Sequence, residues 1–174
     1  MPKKTKTKFP SPYAITKKNG IYQFETVNRL TYNCRFIDLT EAVSPLLFMY
    51  DIHIHEFSFY YQNEIGQTQH DERVSATTTS LLHSFFDEDP LTHNVLYYVC
   101  DYSDNRQEAR SILFNRWYKS QSDVFAKDDI EVNTPENGAL YAHLIRKNNF
   151  PFEYLLKSEI MDKAEGLFIQ KYGS

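Results

Sequence analysis

Asp51, His53 and His55 alternate along one stretch of chain, and two imidazoles at i and i+2 of a strand can address a single divalent metal. Zinc requires a third protein ligand, for which His70-Asp71 is the nearest source. The pair lacks an anchoring Cys or Glu motif, so exposed strand histidines are the preferred reading and no metal is expected. Asp101 follows an apolar run, and Arg106 and Arg110 stand one helical turn apart behind it. Ligands of open α/β layouts gather at strand carboxyl ends, which makes Asp101, Arg106 and Arg110 candidates for a phosphate, a carboxylate or a partner. An Asp–Arg pair that merely fixes a helix on the sheet is the favoured alternative. Cys34 and Cys100 have no obvious His partner in sequence and read as buried, inert thiols. No Walker loop, Gly-x-Ser-x-Gly elbow or dinucleotide fingerprint occurs.

Alternating strands and three longer helices must position these groups. Tyr13–Thr16 and Ile21–Thr26 flank Asn19-Gly20, a pair suited to a hairpin turn, and Leu30–Ile37 alternates like a third strand. Leu39 to Ser44 reads as a short helical connection ended by Pro45. A long strand is predicted from about Leu47 to Tyr61. Its apolar parity switches between Ile54 and Phe57, which a β-bulge near His55-Glu56 would reconcile; burial on both faces is the alternative. Asp71 to Phe86 has helical spacing despite the β-branched run Thr77-Thr78-Thr79. Asn94–Cys100 reads as a central strand, and Asp104 caps a helix with its inner stripe on Ala109, Ile112, Leu113, Arg116 and Trp117. Two strands over 124–132 and 139–146 precede a last helix opened by Pro151. The class is α+β, a mixed and mostly antiparallel sheet flanked by helices.

The 174 residues suit one domain over 13–174 behind a flexible basic tail, 1–12. Residues 1–20 hold six Lys and no acid, leaving 13 basic against 23 acidic side chains. An acidic body repels phosphate backbones, so nucleic acid is not expected as a partner except through the tail. No apolar run approaches membrane-spanning length, no secretory signal is visible, and two cysteines make no disulfide framework. A cytoplasmic location is expected. The 13 Tyr and 13 Phe exceed what such a core needs, so Tyr60-Tyr61, Tyr97-Tyr98 and Trp117-Tyr118 are candidates for a homodimer or partner surface.

Tyr98-Val-Cys100-Asp101, Arg106-Gln107-Glu-Ala-Arg110 and Phe114-Asn-Arg-Trp117 resemble the pattern of an uncharacterised family of small bacterial proteins, over residues 13 to 160. That family brings no activity with it. More weakly, the order of elements is similar to the acyl-CoA-dependent N-acetyltransferase superfamily. The resemblance implies that Arg73, Ala76, Thr77, Thr78 and Thr79 stand where a glycine-rich turn holds the pyrophosphate of acetyl-CoA. Both glycines are missing, and Thr78 adds a branched side chain at the point of close approach. It further implies Glu56 as general base with His55 as alternate, and Tyr118 as a weak acid, since Phe114 occupies the usual tyrosine position. The leading expectation is an acetyltransferase-like protein with degenerate or lost catalysis. The alternative is a non-enzymatic regulatory or interaction module. The first needs free N–H groups at Ala76 to Thr79; the second needs an exposed aromatic patch or a dimer.

Overall fold

A computed structural model describes residues 10–61, 71–89, 92–100, 107–134 and 138–160. Its seven strands form a mixed sheet in the order β1-β2-β3-β4-β5-β7-β6. These are β1 (Thr16–Lys18), β2 (Ile21–Glu25), β3 (Thr31–Asp38), β4 (Ile52–Tyr61), β5 (His93–Cys100), β6 (Phe125–Thr134) and β7 (Gly138–Lys147). β4 and β5 pair in parallel, whereas β1–β2, β2–β3, β5–β7 and β6–β7 are antiparallel. The helices are α1 (Thr40–Val43), α2 (Pro45–Met49), α3 (Glu72–Glu88), α4 (Gln107–Lys119) and α5 over 153–160. The α+β class expected from the alternation stands. Among the described residues no helix is long and apolar enough to cross a membrane.

The chain divides into two compact units, one of residues 1–35 and 59–88 and one of 36–58 and 89–174. In the first, Asn19 and Gly20 adopt φ of 51° and 75°, the left-handed turn that their types favour, and close the β1–β2 hairpin. Rings of Tyr13, Phe24, Tyr32 and Phe59 stack in series at 5.1 to 6.0 Å. α3 buries Val74, Thr77, Thr78, Leu81 and Phe86.

In the second unit, Ile52 and Ile54 of β4, Val95 of β5 and Leu144 of β7 build one core with Leu47 of α2 and Leu156 and Ile160 of α5. Ion pairs hold the edge of this unit. The buried Arg146 guanidinium of β7 reaches Asp128 of β6 at 2.5 Å and Glu153 of α5 at 2.9 Å.

Three expectations are corrected. The short helix expected before Pro45 is present as α1, capped at Ser44, but Pro45 also opens a second helix, α2, at its first position, with Ser44 accepting from the Leu46 N–H. Residues 47–51 are therefore helix and turn rather than strand, and β4 begins at Ile52. The parity switch in β4 needs no bulge. Phe36 of β3 meets Phe57, Asp38 of β3 lies 4.0 Å from His53, and Tyr32 stacks on Phe59, so positions 53 to 61 keep one parity. β4 is covered on both faces, with Ile52 and Ile54 on one side and Phe57 on the other. Lastly, α4 turns inward on Ser111, Phe114 and Tyr118, while Ile112 and Arg116 of the expected stripe are exposed.

Candidate functional site

Helix α3 decides the cofactor turn. Asp71 accepts the Arg73 N–H on its carboxylate at 2.9 Å and the Val74 N–H on its carbonyl at 3.0 Å. An anion therefore already occupies the helix N-terminus. Ala76 to Thr79 lie past the first turn, where each N–H closes onto the carbonyl four residues back. Thr77 and Thr78 are fully buried, and their hydroxyls donate to the carbonyls of Arg73 and Val74 at 2.6 and 3.0 Å. Arg73 packs over the Tyr13 ring at 3.8 Å and donates from Nε to the Ser11 carbonyl. These residues form a closed helical turn with no free amides, and acetyl-CoA pyrophosphate does not fit them.

The acid–base candidates separate as well. Glu56 is in register with Tyr97 on the face of Ile54 and Val95, whereas His55 shares the opposite face with His53, their rings 6.4 Å apart. They cannot alternate in one role. His53 sits between two carboxylates, 3.1 Å from Asp51 and 4.0 Å from Asp38. Among the described residues no group of three His, Cys, Asp or Glu side chains can hold a metal. Asp101, Arg106 and His70 lie outside the described residues. Arg110 is half-buried, and its charge opposes the burial that pushes the Cys100 thiol up to about 11. Cys34 is pushed up to about 12 by burial, so both thiols are inert near neutral pH.

What α4, β5, β6 and β7 bring together was not anticipated. The register sets Asp129 directly opposite His143, and His143 opposite Tyr98, so three neighbouring strands place three side chains in a row. His143 Nδ1 lies 2.5 Å from Asp129 Oδ1, and Ser111 Oγ of α4 lies 3.2 Å from His143 Nε2. Tyr98 stacks on the imidazole at 4.6 Å, and Phe114 covers the Tyr98 ring at 4.6 Å. Lys127 Nζ pairs with Asp129, stands 3.4 Å from His143 Nδ1 and lies 5.7 Å from the Tyr118 ring.

Proton positions follow from this packing. Burial first, and then the Lys127 charge, hold His143 below its usual value against the pull of Asp129. The imidazole is neutral, so Nδ1–H donates to Asp129 and Nε2 accepts from Ser111. Burial acts to raise Asp129, but hydrogen bonds from Lys127 and His143 outweigh it and keep the carboxyl ionised below its usual range. Tyr118, expected as an acid, instead offers its ring to Lys127.

Fold and site thus define an α+β protein with a mixed seven-stranded sheet and a Ser–His–Asp hydrogen-bond chain whose serine and histidine are buried and whose aspartate is exposed. The chain belongs to a family of unknown function, DUF6169, whose model matches residues 70–162. No curated protein and no solved structure matches it. The matched stretch includes Tyr98, Ser111, Asp129 and His143, as well as Cys100, Arg110, Phe114 and Trp117 of the family-like pattern.

Proposed function

We propose that this chain is a protein-interaction module on an acetyltransferase-like order of strands, and that it docks a basic amphipathic segment on α2. One observation carries the reading: α2 turns its apolar side chains outward. Met49 is 80% exposed, Phe48 58%, Tyr50 47% and Leu46 38%, while Leu47 alone of this run is buried. Three such neighbours on one short helix and a fourth just past its end leave apolar surface exposed, of the kind that marks a binding site. Tyr50 is braced by Phe152 at 5.6 Å and Phe48 by His53 at 5.8 Å, which limits the entropy lost on docking.

Charge selects the partner. Residues 36–72 contain no Lys or Arg. Glu41 is exposed, and the exposed carboxylates of Asp38 and Asp51 flank α2 in sequence. An apolar surface with an acidic rim suits a segment with one apolar and one Lys/Arg face, and disfavours nucleic acid. The acyl-CoA reading is not carried forward, because the α3 turn it requires is closed.

Fluorescence anisotropy with a labelled helical peptide bearing one Leu face and one Lys face tests the reading. Micromolar binding is expected, weakened by salt and lost in Phe48→Ser/Met49→Ser. No binding by the native chain, or equal binding by the folded double variant, overturns it.

A further inference from the structure

Independently of the α2 surface, we propose that Ser111 is a nucleophile with His143 as its general base and Asp129 as its positioning residue, acting on small carboxylic esters. A hydroxyl inside a helix ordinarily bonds back to the carbonyl four residues earlier, as Thr77, Thr78 and Ser84 do in α3. Ser111 instead turns its Oγ to His143 Nε2 at 3.2 Å. That nitrogen is the free acceptor, because Asp129 at 2.5 Å claims Nδ1–H and fixes the tautomer. Lys127, at 3.4 Å from Nδ1, is the longer and weaker partner of that nitrogen.

A second observation points to a ligand. The Tyr98 hydroxyl is buried without a hydrogen-bond partner among the described residues, on a ring stacked against the His143 imidazole. Burial raises the phenol, so it remains a proton donor. A buried donor with nothing to bond is costly, and an ester carbonyl becoming an oxyanion would satisfy it. Ser111 is 8% exposed and His143 2%, which restricts the substrate to a small acyl group.

In the reaction, Ser111 Oγ bonds to the ester carbonyl carbon while its proton passes to His143 Nε2. The C–O bond to the alcohol then breaks, and the departing alkoxide takes that proton. A water molecule attacks the Ser111 ester with the same base, releasing the carboxylic acid and restoring the serine.

The test is exposure of the full, folded chain to a fluorophosphonate, read by intact mass and peptide mapping. An adduct on Ser111 is expected, absent in Ser111→Ala and slowed at least about 100-fold in His143→Gln. Asp129→Asn alters an exposed side chain and tests the positioning role should His143→Gln fail to fold. It should slow labelling and change its pH profile, which in the native chain rises through the histidine titration. Failure of the folded native chain to label on Ser111 overturns the proposal. Unchanged labelling in folded His143→Gln, or in Asp129→Asn, also overturns it.

Discussion

Tyr13 donates its backbone N–H to the Thr77 hydroxyl at 2.8 Å across 64 residues, and Thr77 is fully buried. The same hydroxyl donates to the Arg73 carbonyl at 2.6 Å, so one side chain ties the segment that precedes β1 to the first turns of α3. Thr77→Ala leaves the Tyr13 N–H buried and unpaired. The expected loss is about 1–3 kcal/mol by urea denaturation, with Thr77→Ser recovering most of it.

The same joint bears on coenzyme A. With Asp71 at the N-terminus of α3 and the amides of Ala76 to Thr79 inside the helix, the turn offers phosphate no free backbone donors, and the Arg73 guanidinium is engaged with Tyr13 and Ser11. Calorimetric titration with acetyl-CoA and with coenzyme A is expected to give no heat at millimolar ligand. Micromolar binding abolished by Arg73→Ala would restore the pyrophosphate role of this segment.

The hairpin at Asn19-Gly20 and the strand Asn94–Cys100 were legible because turn chemistry and period-two alternation are local signals. α2 was not read, although Ser44-Pro45 carried the right cap and first-turn residue. The apolar run Leu46–Tyr50 matches a strand equally well, and only the outward turn of Phe48 and Met49 tells them apart. Glu56 and His55 were grouped through a bulge that pairing with β3 makes unnecessary. The Ser111–His143–Asp129 chain left no local mark. Its members are 32 and 14 residues apart, and they meet through the β6–β7 register and the rotation of α4. That rotation follows the Ser111 hydrogen bond rather than the apolar stripe, which is why Ile112 was placed inside.

Neighbouring positions of α2 should respond oppositely to truncation. Leu47 is fully buried in the core with Ile52, Leu144 and Leu156, so Leu47→Ala is expected to cost about 2–5 kcal/mol. Met49 is 80% exposed, and Met49→Ala should stay within about 0.5 kcal/mol of the native chain. Denaturant midpoints of the two variants check this. A large loss in Met49→Ala would mean that α2 is covered rather than offered to a partner.

Two histidines set the pH response, the buried His143 and the half-buried His55. His143 and His55 are both held below the usual value of 6.5, chiefly by burial. Unfolding exposes them, so near and below pH 6.5 the unfolded chain binds more protons than the folded one. Their contribution to stability is therefore fully present above 6.5 and is lost as pH falls through that value toward their folded pKa values. The slope is at most about 1.4 kcal/mol per pH unit for each histidine. Asp129 and Asp38 are held below 3.8 as carboxylates despite the opposing effect of burial, so their contributions are lost only in stronger acid. Urea midpoints are thus expected to fall between about pH 7 and pH 5.5, and less steeply in His143→Gln, which keeps a polar group beside Asp129 but does not titrate. An equal slope in His143→Gln would show that His143 takes up protons equally in the folded and unfolded chain, and so contributes nothing to the fall.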